Sequence, residues 1–174
     1  MRRILFSCAA LAMLMLPAAA PAGARGPANG YLVVQRANGD GGVHGRPVVT
    51  LVIVQGFVLG RVSQQARVDI YHLPSASGEG KPQAFGADVS QHPLRWRGRP
   101  GVEYSGIDFH FRAIDGAYRV VVRGAGVYLF AGGSGSVTLR GSSVYPRSDG
   151  KYSIDGERAK SMPANPLTRR IGRA

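Results

Sequence analysis

The sequence predicts an all-β protein, an antiparallel β-sandwich or barrel of about 7–9 short strands after an N-terminal signal helix. Three observations carry that expectation. β-Branched and aromatic residues alternate with polar ones at period two in several short runs, and glycines punctuate those runs. Past the leader, no window joins a helical period to a capping signal. The chain has 174 residues, 44% of them hydrophobic, with 25 Gly and 11 Pro, which is too apolar for disorder throughout.

Residues 1–24 have the layout of a secretory signal peptide. Arg2 and Arg3 precede a 13-residue apolar stretch, Ile4 to Leu16, which Pro17 closes before a run of small residues. Cleavage is expected near Ala20 or Ala24, which would make the protein secreted or extracytoplasmic. Thirteen residues fall short of the roughly 20 that cross a bilayer; retention as an anchor is the alternative. Cys8 is the only cysteine, and it comes too early in the apolar stretch for a lipid-attachment site. A chain cleaved at either site has no disulfide, thiol nucleophile or thiolate metal site.

Residues 25–45 read as a flexible, glycine-rich lead-in around one apolar run, Tyr31-Leu32-Val33-Val34. The β-domain is expected over 46–158. Val48 to Val54 is nearly continuously β-branched, as in a strand buried on both faces, and Gly56 after it signals a bulge or bend. Val68, Ile70 and His72 alternate with polar neighbours. Residues 73–103, rich in Pro, Gly and Ser, read as a long surface excursion or as short edge strands, pinned by Phe85, Val89, Leu94 and Trp96. Over 107–123 the alternation is clearest. Asp115-Gly116 reads there as a two-residue hairpin turn, which would set Phe111 opposite Val120, Asp108 opposite Arg123 and Arg112 opposite Arg119. Further strands are expected at Val127–Ala131, Ser136–Arg140 and Tyr152–Asp155, and a disordered basic tail over 159–174.

The chain carries 22 Lys+Arg against 10 Asp+Glu, a formal charge of +12. Removing the leader takes away Arg2 and Arg3 and no acid, leaving +10. Such an excess favours polyanions: anionic envelope polymers, headgroups or nucleic acid. A merely solubilising surface charge is the plain alternative. Nucleotide loops are not indicated, because strands rather than helices follow Gly124-Ala125-Gly126 and Gly132-Gly133-Ser134-Gly135. His44, His72, His92 and His110 have no metal-ligand spacing. Glu103 and Asp108 are the nearest approach to a paired-carboxylate site, and they flank Gly106 in no fixed relation. No catalytic residue, metal ligand or cofactor is therefore assigned.

Arg95-Trp96-Arg97-Gly98-Arg99 is the most suggestive local motif. Arginine holds phosphate or carboxylate bidentately, and an indole stacks on a sugar or base. Strand alternation alone would also turn Trp96 inward and its arginines to water. Arg112 and Arg119, read as facing each other beside His110, form the second candidate, since like charges across a strand pair repel unless an anion relieves them. The glycine-punctuated pattern resembles exported β-domains such as immunoglobulin-like modules, although the Cys…Trp…Cys spacing of true immunoglobulin domains is absent. The expectation is an exported, non-catalytic β-domain binding anionic envelope or extracellular polymers through Arg-rich loops. A structural or assembly subunit with an exposed strand edge, or a secreted hydrolase with a dispersed site, would be the alternatives.

Overall fold

A computed structural model describes residues 30–35, 48–62, 66–73, 80–124, 126–141 and 150–172. The described residues contain eleven strands and no helix: β1 (Gly30–Gln35), β2 (Val48–Val62), β3 (Ala66–His72), β4 (Gln83–Phe85), β5 (Asp88–Trp96), β6 (Arg99–Ile107), β7 (Phe109–Arg123), β8 (Val127–Arg140), β9 (Lys151–Ile154), β10 (Lys160–Ser161) and β11 (Leu167–Ile171). They make one antiparallel sheet in the order β10-β9-β1-β8-β2-β7-β3-β6-β5, with β11 added to β8 and β4 to β7. The all-β expectation holds, but the strand number and closure need correcting. There are eleven strands instead of seven to nine, and the end strands β10 and β5 do not pair, so the sheet is open and not a barrel. The expected signal helix lies outside the described residues.

Three long strands, β2, β7 and β8, organise the sheet, and the first two are bulged. In β2 the buried side chains are Val49, Leu51 and Ile53 before the bend and Val58 and Val62 after it, a change of phase by one residue. β7 makes the same change, from Phe109, Phe111 and Ala113 to Tyr118, Val120 and Val122. One extra residue per strand is a bulge, which bends the chain and increases its twist. Gly56 sits at the bend and pairs with Gly116 on β7 and Gly133 on β8. A Cβ on Gly56 would stand 2.0 Å from the Gly132 carbonyl oxygen, and its φ of 150° disfavours any side chain. The sequence signal at Gly56 is thus realised as a bulge.

The segment 107–123 is one bent strand, not a hairpin. A type I′ turn needs positive φ at both central residues. Asp115 has φ 55°, but Gly116 does not take a positive φ, so the chain bulges without reversing. Phe111 therefore pairs with Gly60 and Ala84, and Val120 with Leu51 and Ile70. Asp108 meets Arg61 instead of Arg123. Likewise Val127–Ala131 and Ser136–Arg140 are two halves of β8, joined through Gly132-Gly133. Turns with two positive φ values lie instead at Arg97-Gly98 (50° and 79°), which joins β5 to β6, and at Asp155-Gly156 (51° and 79°) after β9.

The bends give the sheet two halves that share β2, β7 and β8. β7 pairs with β4 along Phe111 and its neighbours but with β3 beyond Tyr118. β8 pairs with β1 up to Gly133 and with β11 from Gly135 onward. With no helix among the described residues to cover it, such a sheet can seal a face only by curling over itself. One cluster indeed unites Leu32, Val58 and Phe109 of one half with Leu51, Ile70 and Val120 of the other. Each such side chain contributes roughly 1.5–3 kcal/mol by leaving water.

Residues 80–103 of the expected excursion contain the short strand β4, the nine-residue end strand β5 and the start of β6. Val89 packs against the core, but Phe85 does not pin the segment, being 44% exposed. Where a basic tail was expected, β10 and β11 join the sheet, with Met162 and Ile171 buried. β5 carries Pro93, which removes one backbone donor from that edge, and β10 is two residues long. Both features discourage addition of a further strand.

Candidate functional site

Residues directly opposite in antiparallel strands project on the same side of the sheet. On the outer side of the half built by β5, β6, β3 and β7, Trp96 lies opposite Arg99, and Tyr71 lies opposite both Gly101 and Arg119. Gly101 leaves the space that the Tyr71 ring fills, since a Cβ there would be 2.5 Å from Tyr71 Cδ1. The ring thereby leans towards Trp96, with centroids 6.0 Å apart.

Three guanidinium groups surround the half-buried indole. The Cζ atoms of Arg119, Arg97 and Arg99 lie 4.5, 5.1 and 5.5 Å from the centre of the Trp96 ring. Arg119 also lies 5.6 Å from the Tyr71 ring centre. Each such contact is worth about 0.5–1 kcal/mol at an exposed site, while the three like charges repel one another. The ion pairs among the described residues are Arg61–Asp108, Arg67–Glu103, Arg123–Asp69 and Lys160–Glu157, so no carboxylate there pairs with Arg97, Arg99 or Arg119.

The neighbouring row of the same outer side is compensated. Asp69 lies opposite Glu103, and the two carboxylates are met by Arg123 at 2.5 Å and Arg67 at 3.2 Å respectively. Asp69 is buried, and its Oδ1 has no hydrogen-bond partner. Burial, reinforced by the Asp69 carboxylate, raises the Tyr71 hydroxyl above its ordinary pKa, against the pull of Arg119 and Arg123. Tyr71 is therefore neutral at physiological pH and presents an O–H donor at the border between the two rows.

The expected site residues thus divide. Trp96, Arg97, Arg99 and Arg119 come together. Arg95 lies opposite Pro100 and projects to the other side of the sheet from Trp96. Arg112 and His110 are on the other half, beyond the bend in β7, so Arg112 does not face Arg119. Arg112 donates from Nε and Nη2 to Gln83 Oε1 at 3.0 and 2.7 Å and lies 5.4 Å from the Phe85 ring centre, while His110 stacks on Phe85 at 5.7 Å. Tyr71 and Gly101 were missed. Their role depends on β3 lying between β7 and β6, which no local pattern announces.

Arg97 itself holds a left-handed conformation, φ 50°, which costs a residue with a Cβ about 1–2 kcal/mol. A non-glycine residue kept there beside two other guanidinium groups makes the turn a candidate for function. No protein-family model matches the chain, and no curated protein and no solved structure is significantly similar to it.

Proposed function

We propose that this protein is an exported, non-catalytic β-domain, its leader removed near Ala20 or Ala24 and its two half-sheets stacked as a sandwich, that binds anionic envelope or extracellular polymers through the Trp96 cluster. The observation that carries this reading is the set of three arginines on one indole without an acidic partner among the described residues. A carboxylate, sulfate or phosphate group of a polymer would take the forks of Arg97, Arg99 and Arg119. The sugar ring bearing it would lie on the open part of Trp96. The Tyr71 hydroxyl supplies a further donor. No step of bond making or breaking is required of these groups.

Trp96 is the only tryptophan, so its emission reports this site alone. Titration with heparin at low salt is expected to change that emission saturably, whereas neutral dextran leaves it unchanged. Raising the salt should reverse the change, because released counterions oppose binding at high salt. Arg119→Ala, which removes the guanidinium nearest the ring, is expected to weaken binding about tenfold. Arg95→Ala should change it less than about twofold. An emission blind to heparin, or equal losses in the two variants, would remove the site.

A further inference from the structure

The other outer face has a different composition. The cross-strand register aligns Phe85, His110, Arg61, Tyr128, Gln35 and Lys151 in one row. The next row runs Gln83, Arg112, Leu59, Phe130, Val33 and Ser153 by the same pairings. Beyond it, Tyr31 and Phe57 flank Gly132, which has no side chain to separate them. Tyr31 and Phe57 both pack on Phe130, with ring centroids 6.0 and 5.5 Å away.

This is an aromatic and aliphatic surface left in water. Tyr31 is 51% exposed, Tyr128 47%, Phe85 44% and Leu59 38%. Large apolar side chains grouped on one exposed face mark a surface that meets a partner. Charge narrows the choice. Arg61, Arg112, Lys151 and His110 rise from the same rows; Asp108 pairs with Arg61, and the Asp155 carboxylate beside Tyr31 accepts from the backbone N–H groups of Tyr31 and Gly172. A second copy of this face would set cation against cation. A neutral sugar would leave the cations unanswered, and the rings of Tyr31, Phe57 and Phe130 already engage one another.

We infer that this face docks on the surface of an anionic lipid bilayer. Tyr and Phe rings seat at the headgroup boundary, where their apolar bodies leave water. Lys151 and the well-exposed Arg61 reach phosphate oxygens, while Arg112, held on Gln83, adds only attraction that fades within a Debye length. The protein lies on the membrane and does not cross it through this face. The docked face is separate from the Trp96 cluster, so the polymer site stays open to solvent while the protein is bound.

The test uses the full chain with phosphatidylcholine vesicles, with and without 30% phosphatidylglycerol, at near-physiological salt. Co-sedimentation is expected with the anionic vesicles and not with the neutral ones. The triple variant Tyr31→Ser, Phe85→Ser, Tyr128→Ser should lose at least about tenfold in partitioning. Replacing Arg97, Arg99 and Arg119 with Ala should change it less than about threefold while abolishing the heparin response. A wild-type measurement guards against a misfolded variant: brominated lipids should leave Trp96 emission unquenched in the bound protein. Quenching of Trp96, equal binding to neutral vesicles, or no binding at all would overturn the inference. So would concentration-dependent self-association that the aromatic variant removes, or retention on neutral polysaccharide.

Discussion

The two outer faces of the sheet share β7, yet they solve opposite problems. On one, Asp69, Tyr71 and Val121 are buried, and charge is partly neutralised at Asp69 and partly left over around Trp96. On the other, aromatic side chains stand half in water with cations among them. β7 contributes Arg119 to the first face and Arg112 to the second; they are seven positions and one bulge apart. The lesson is that outward positions on one strand acquire different tasks when a bend assigns them different neighbours. A guanidinium beside Gln83 is satisfied by an amide, whereas one between Tyr71 and Trp96 has only ring faces and whatever anion arrives.

The bend at Gly56 is where both faces are most vulnerable. Gly56→Val places side-chain atoms against the Gly132 carbonyl at a positive φ. It is expected to cost more than about 3 kcal/mol in urea denaturation. Both faces should then fail together, with heparin and vesicle binding lost in parallel. Retained folding would mean that the bend is not what separates the faces.

Next in size is the difference in structural weight between the faces. Asp69→Ala removes the partner of Arg123 inside a buried row. It should destabilise by about 2–3 kcal/mol, below the range for a fully buried pair because Arg123 is partly exposed. Tyr128→Ala on the opposite face should stay within about 0.5 kcal/mol, since that ring buries little. Similar losses at the two positions would erase the distinction.

Alkaline pH sharpens it further. Burial raises the hydroxyls of both Tyr71 and Tyr104, and Tyr104 donates to the Pro82 carbonyl at 2.7 Å. A raised folded pKa means that the native state holds these protons more tightly than the unfolded chain does. Their contribution is complete at neutral pH and is lost as the pH rises past the ordinary tyrosine value of about 10. Tyr104→Phe should cost about 1 kcal/mol at neutral pH and flatten the alkaline fall. A wild-type melting curve unchanged up to pH 11 would contradict this.

The smallest effect has opposite signs in two assays. Arg97→Gly relieves the left-handed strain and is expected to stabilise by up to about 1 kcal/mol while weakening heparin binding. Gains in both assays would show Arg97 to be a turn residue only.

Much of the interior was legible beforehand. The alternation over 107–123 places Ile107, Phe109, Phe111, Ala113, Tyr118, Val120 and Val122 on one face, and all but Ile107, which is 52% exposed, are buried. The alternation that reveals them is a property of each strand segment and holds whether the chain turns back or bends. That same indifference hid the difference between the two outcomes at Asp115-Gly116. Half of the candidate site was legible as well: Trp96, Arg97 and Arg99 are neighbours in the chain. Arg119 was singled out for a repulsion with Arg112 that does not exist, and it proves to belong beside Trp96.

Sequence alone therefore determined the all-β character, the residues that seal the interior, the bulge at Gly56, the excess of positive charge and the absence of a disulfide. These follow from period-two patterning, the conformational freedom of glycine and plain counting, none of which needs to know a strand's neighbour. The tertiary structure decided that Asp115 bulges, that Leu167–Ile171 joins β8 as a strand, and that arginines as far apart as Arg97 and Arg119 share one indole. Those outcomes rest on which strands pair, and pairing is set by the fit of whole faces across the sheet.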